Sequence, residues 1–132
     1  MQANPVRWFE IYVQDINRAK KFYETVLQLK LDKLETPESL DQPKAPKLEL
    51  WAFPMAGDKP GCGGALVQME GYPSGGNSTL IYFATADCSI EAARVVKAGG
   101  RIEKQKFAIG QYGYIALAYD TEGNLFGLHS ME

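Results

Sequence analysis

His129 is the only histidine in the chain, in the closing stretch "DTEGNLFGLHSME" from Asp120 to Glu132. Imidazole suits general acid–base work near neutral pH and is a frequent metal ligand. The second group with chemical potential is Glu10, in "RWFEIYV". A strand period of two puts Glu10 on one face with Trp8 and Tyr12, and Phe9, Ile11 and Val13 on the other. A carboxylate on an aromatic face is costly to bury unless it is paired or solvated. Glu10 is therefore a candidate general acid or base, and equally a candidate structural partner for Arg7 or a lysine. Glu10 and His129 would act as an acid–base pair only if they met at hydrogen-bond distance. Otherwise His129 reads as a strand-end side chain, partly exposed or bonded to backbone.

Other reactive side chains offer less. Cys62 and Cys88 are single, far apart and outside any CxxC, which argues against a structural zinc site. Cys88 falls at a helix start and reads as an ordinary small residue. No serine or cysteine has the strand–turn–helix setting of an activated nucleophile. Ser130 lies on the opposite strand face from His129. "GCGG" precedes a strand rather than a helix, so it fails as a phosphate loop.

The elements that must position these groups follow from the pattern. Asp15 caps a helix over "INRAKKFYETVL", with Ile16, Ala19, Phe22, Tyr23, Val26 and Leu27 at helical spacing. Strands follow at "LKLDKLE", "LELWAF" and "ALVQM", with the proline-rich loop "TPESLDQPKAPK" between the first two. "EGYPSGGNS" reads as a linker. The order then restarts: strand "TLIYFATAD", helix "SIEAARVVKAG" with Ile90, Ala93, Val95 and Val96 apolar, and strands "RIEKQKF", "YIALAYD" and "LFGLHS". This gives two βαβββ modules, about 5–70 and 79–132, joined by a linker at 71–78, in one domain.

The 132 residues carry a formal net charge of -2, with 45% hydrophobic and 23% charged residues. That balance fills a core and leaves no basic footprint for nucleic acid. Lys20–Lys21 and Lys104–Lys106 read as solvated faces. No run approaches the roughly 20 apolar residues of a membrane span, and the start lacks a signal-peptide pattern. The expected location is the cytoplasm, where cysteines stay reduced.

The stretches "FEIYVQDINRAKKFYETVL", "AGGRI" and "GQYGYIALAYDTEGNLFGL" resemble the vicinal oxygen chelate superfamily of glyoxalase I, bleomycin-resistance proteins and extradiol dioxygenases. The nearest type is the small proteins related to lactoylglutathione lyase. The resemblance implies an α+β fold whose two modules form a curved, cup-shaped mixed sheet with helices outside. It also implies a homodimer, and a divalent metal held by His and Glu side chains, two from the first and last strands of each module. Such a metal polarises vicinal substrate oxygens. Aligning "WFEIYVQDI" with "IYFATADCS" and "GGALV" with "LFGLH" places the four ligand positions at Trp8, Ile81, Ala65 and Gly127. None of these can ligate through its side chain. A one-residue shift offers Arg7 or Phe9, Leu80 or Tyr82, Gly64 or Leu66, and Phe126 or Leu128, and turns the strand faces over. The expectation is no metal and no other cofactor. An improvised site from Glu10 and His129 would have only two protein ligands.

The residues expected to face the cup are Trp8, Glu10, Tyr12, Ala65, Val67, Ile81, Phe83, Thr85, Leu125, Gly127 and His129. The loop "FAIGQYGY" adds Tyr112 and Tyr114 as a lid or wall. The expected ligand-binding set is Trp8, Glu10, Tyr12, Phe83, Tyr112, Tyr114 and His129, suited to a small organic molecule with a flat or apolar body and a polar end. Three functions stay open: a metal-free small-molecule binder; an enzyme, either a metal-dependent lyase, isomerase or dioxygenase or an acid–base catalyst using Glu10 and His129; and a structural or interaction domain with a filled cup.

Overall fold

The computed structural model describes residues 4–35 and 48–132; the expected loop at 36–47 lies outside the described residues. The first module contains β1 (Trp8–Tyr12), α1 (Ile16–Leu27), β2 (Asp32–Leu34), β3 (Leu48–Ala52) and β4 (Gly63–Met69). The second contains β5 (Tyr82–Ala84), α2 (Cys88–Val95), β6 (Arg101–Ala108), β7 (Tyr114–Tyr119) and β8 (Leu125–Ser130). Each module supplies its own four-stranded mixed sheet, in the orders β1-β4-β3-β2 and β5-β8-β7-β6. In both, the first strand pairs parallel with the last and the other pairings are antiparallel. The fold is α+β, with two βαβββ modules in tandem. Among the described residues no helix is long and apolar enough to cross a membrane.

The helices start where aspartate can cap them. The Asp15 side chain accepts from Arg18 N at 3.1 Å, and Asp87 accepts from Ser89 N at 3.0 Å. This satisfies amide groups that the first helical turn leaves without partners. α1 buries Ile16, Ala19, Phe22, Tyr23 and Val26, as its spacing predicts. It stops at Gln28, whose φ of 53° is left-handed. α2 departs from expectation. It ends at Val95 and buries Cys88, Ala92 and Val95, while Ile90 and Val96 are exposed. The buried set follows the i, i+4, i+7 stripe set by Cys88.

The core lies on the helix side of both sheets. Tyr23 sits at its centre, fully buried, with ring centroids 5.0 Å from Phe22, 5.7 Å from Phe53, 5.8 Å from Phe83 and 5.5 Å from Phe126. It thus joins a helix of module one to strands of module two. Its hydroxyl donates to Asp120 Oδ2 at 2.6 Å.

A polar clamp makes a second bridge between the modules. The Glu122 carboxylate, side chain 0% exposed, accepts from Arg18 Nε at 2.7 Å and Nη2 at 3.0 Å. It also accepts from the backbone N–H groups of Gln14 and Asp15 and from the Thr121 hydroxyl. Burial pushes this carboxyl up, but Arg18, the Gln14 N–H, Thr121 and the Asp15 N–H outweigh it and hold it below the usual glutamate range.

At the start of α2, Lys106 Nζ donates to Asp87 at 2.9 Å. Lys106 first, and then the Ser89 hydroxyl and amide, lower the Asp87 carboxyl to about 2. Lys106→Ala is expected to raise the Asp87 midpoint part of the way toward 3.8, with the two Ser89 hydrogen bonds still holding it down. A carboxyl-detected NMR titration reads this directly; an unmoved midpoint would mean the ion pair is not what holds it.

Candidate functional site

The open face of β1, away from the helices, carries Trp8, Glu10 and Tyr12 in alternation. Trp8 is 38% exposed and Glu10 is exposed. Trp8 Nε1 donates to Glu10 Oε2 at 3.2 Å, and the Tyr12 hydroxyl donates to Oε1 at 2.9 Å. The carboxylate is therefore oriented by a donor two residues away on each side. Burial first, and then the Glu10 hydrogen bond and charge, push the Tyr12 phenol above its ordinary value. Tyr72, from the connecting segment, stacks on Tyr12 with centroids 5.3 Å apart and planes 18° apart.

A cavity of about 200 Å³ opens beside this row. Glu10 and Tyr12 form one wall, Pro73 and Gly75 another, and Ile81 and Leu125 a third. Two asparagines hold the connecting segment over it. Asn124 Nδ2 donates to the Tyr12 carbonyl at 2.9 Å and its Oδ1 accepts from Gly75 N at 2.7 Å. Asn77 Nδ2 donates to the carbonyls of Thr79 and Leu125, and its Oδ1 accepts from Leu125 N. Their amides are spent on backbone, which leaves Glu10 and the Ser74 and Thr79 hydroxyls as the side-chain polar groups of the lining open to a ligand.

The register of the two modules shifts by one from the sequence alignment. Asp15 and Asp87 are the corresponding caps. Val13 N donates to the Val67 carbonyl just as Thr85 N donates to that of His129. Trp8 therefore corresponds to Leu80, not Ile81, and Glu10 to Tyr82. The correction leaves the ligand positions as Trp8, Leu80, Ala65 and Gly127, again with no side chain able to hold a metal. Among the described residues no group of three or more His, Cys, Asp or Glu could share an ion. The residues present do not fit the family's metal. A Cβ on Gly127 would run into the ring of Tyr82, which fills the space a ligand side chain would need.

The same shift turns Phe83 around. Its ring lies 5.4 Å from Phe53 and 6.0 Å from Phe126, in the core rather than on the open face. Tyr114 also packs against the core, under Lys106 at 4.6 Å. The expected lid at 107–114 is a tight hairpin: Ala108 pairs with Tyr114 and Ile109 N donates to the Gly113 carbonyl. Tyr112, at its tip, is 66% exposed.

His129 lies between Ala84 and Ile115 on the open face of the second sheet. Its Nε2 sits 2.7 Å from the Tyr112 carbonyl. A carbonyl only accepts, so Nε2 carries the proton. Glu10 and His129 thus have separate hydrogen-bond partners, and Glu10 lines the cavity while His129 does not. The structure does not bring them together as an acid–base pair. Sequence reasoning passed over Tyr72 and Tyr82. Tyr72 comes from a linker, which has no periodicity to betray its contacts. Tyr82 would have followed from aligning the two capping aspartates.

Solved structures share this architecture. Glyoxalase I from Zea mays, as an E144Q mutant, superposes with a TM-score of 0.70 at 23% identity, over 96% of this chain and 47% of the maize chain. The chain thus spans about half the length of that relative. A hypothetical protein, SA1046, from S. aureus gives a TM-score of 0.65 at 16% identity, over 98% of this chain and 95% of that one. A genomically encoded fosfomycin resistance protein from Listeria monocytogenes gives 0.61 at 15%, over 98% and 92%. These likenesses show the fold alone. No curated protein matches the chain. The model of the glyoxalase/bleomycin resistance protein/dioxygenase superfamily matches residues 6–128. On that match, with the paired βαβββ modules, the chain belongs to the glyoxalase/bleomycin resistance protein/dioxygenase superfamily.

Proposed function

We propose that the protein binds a small organic molecule in the cavity beside Glu10, without the metal usual in its superfamily. The observation that supports this most is the residue set Trp8, Leu80, Ala65 and Gly127 at the four ligand positions. An aromatic ring, two aliphatic side chains and a glycine offer no lone pair to a divalent ion. The cavity offers apolar surface from Ile11, Ile81, Leu125 and Phe126, and Glu10, whose carboxylate Trp8 and Tyr12 orient, is among its lining residues. Such a mixture gives affinity through burial and orientation through one polar anchor. The separate partners of Glu10 and His129 favour binding over acid–base catalysis by that pair.

Two measurements on the purified protein test this reading. Elemental analysis is expected to find less than stoichiometric zinc, nickel, iron or manganese. A thermal-shift screen of chemically diverse small molecules is expected to return stabilising ligands whose effect is lost on Ile81→Trp, which enlarges a side chain that lines the cavity. One equivalent of tightly held metal would defeat the proposal, and so would a screen in which nothing stabilises the protein.

A further inference from the structure

Trp8 and Tyr12 turn their donor edges to the Glu10 carboxylate and Tyr72 stacks on Tyr12, and among the described residues no cation is placed against any of the three rings. Elsewhere the chain supplies its own. Lys20 lies 4.5 Å over Trp51, Arg101 3.8 Å over Tyr119, Lys104 4.0 Å over Phe107 and Lys106 4.6 Å over Tyr114. Glu10 likewise has no ion-pair partner among the described residues; its carboxylate meets only the neutral donors of Trp8 and Tyr12. Each carboxylate oxygen has room for two donors, so each keeps one free position.

From this we infer that the ligand is an organic ammonium: a protonated amine received by Glu10 and the surrounding rings, on an apolar body that enters the cavity. The inference rests on the proposed binding function and deepens it by naming the ligand's chemistry. Three features converge. Aromatic faces attract cations through their quadrupole, most strongly where water is partly excluded. Among the described residues the Glu10 carboxylate meets only neutral donors, so no cation of the chain competes for it. The asparagines that could receive a neutral polar group are already bonded to backbone. An anionic ligand would face carboxylate and ring electrons together. The cavity volume of about 200 Å³ lies below the roughly 300–1,000 Å³ of sites for drug-sized ligands. The body is therefore about one ring with a short chain, as in an arylalkylamine.

The test is isothermal titration of the full chain with three probes of matched shape: phenethylamine, phenethyl alcohol and 3-phenylpropionate. The amine is expected to bind at least about tenfold more tightly than the alcohol, the carboxylate weakest of all, with the amine's advantage shrinking as salt is raised. Glu10→Gln, checked for folding by circular dichroism, is expected to reduce the amine about tenfold and leave the alcohol unchanged. Tyr72→Leu, which keeps apolar area and removes the ring, is expected to reduce the amine several-fold. The inference is overturned if the alcohol or the carboxylate matches the amine, or if Glu10→Gln keeps the amine's advantage. It is also overturned if none of the three binds while the diverse screen yields uncharged or anionic ligands; in these cases the binding function itself stands. Silence of both the probes and the screen overturns the two together.

Discussion

Glu122→Ala is expected to lower the free energy of unfolding by about 2 kcal/mol, most of it from donors stranded around its buried carboxylate. The substitution leaves two backbone N–H groups, those of Gln14 and Asp15, without their acceptor at the entrance to α1. A buried donor left unpaired costs about 1–3 kcal/mol, and these two, on residues exposed to solvent, fall at the lower end. Loss of the Arg18 pair adds less, because its guanidinium side chain is 52% exposed and can turn to water. Glu122→Gln, which keeps one acceptor oxygen, is expected to cost about half as much. The folded-state carboxyl lies below its ordinary 4.5. The stability it contributes is therefore present above pH 4.5 and is lost as pH falls through the folded value. The gap between the wild type and Glu122→Ala should accordingly close in acid. Urea unfolding at pH 7 and at pH 3 reads both effects. A gap that stayed constant with pH would mean that the charge of Glu122 contributes nothing.

Tyr23→Ala is expected to be more damaging still, about 4 kcal/mol, within the range for removing a large buried aromatic side chain. The ring contacts Phe22, Phe53, Phe83 and Phe126, so the cavity would open where the two modules meet. Against a typical total of about 5–15 kcal/mol, that removes between about a quarter and four-fifths of the stability. Tyr23→Phe separates packing from polarity. It keeps the ring and removes the hydroxyl that donates to Asp120, at an expected cost of about 1–2 kcal/mol. The Asp120 carboxyl is already raised, chiefly by burial against the pull of its four donors. Losing one donor raises it further. The Tyr23 phenol is itself raised well above 10 by burial and by Asp120. A raised group stabilises the fold fully below its unfolded value and less as pH climbs past it. Above pH 10 the wild type should therefore lose part of its advantage over Tyr23→Phe. Thermal melts across pH 7 to 11 would expose an advantage that persists unchanged, which would place the buried hydroxyl outside the titration.

What the sequence discloses here depends on whether a residue's neighbours differ in polarity. Around β1, Glu10 interrupts an apolar run, so alternation assigns the faces and Phe9, Ile11 and Val13 turn to the helices. Around β5, Leu80, Ile81, Tyr82 and Phe83 are all apolar or aromatic, and alternation has no polar marker to anchor it. Only the cap supplies one. Matching Asp15 with Cys88 rather than Asp87 moves the strand by one residue, and Phe83 changes face. In α2 the apolar residues exceed what one stripe can bury, so composition cannot choose between Ile90 and Ala92. The Glu122 clamp escaped notice because Arg18, Gln14 and Asp15 lie more than a hundred residues away, and a carboxylate in a "D-x-E-G-N" turn looks like a solvated one. That residue 127 is a glycine at the position aligned with Ala65 is legible as a local identity. The Tyr82 ring packed against it is not.

The packing of Tyr82 over Gly127 also sets the order in which this surface can change over generations. A larger residue at 127 is obstructed while the tyrosine ring stands there, whereas trimming residue 82 first merely uncovers the glycine. Positions 8, 65 and 80 would then each need a ligating side chain before any of them conferred an advantage together. Holding an ion here would need all four positions changed, with residue 82 trimmed before residue 127 could grow.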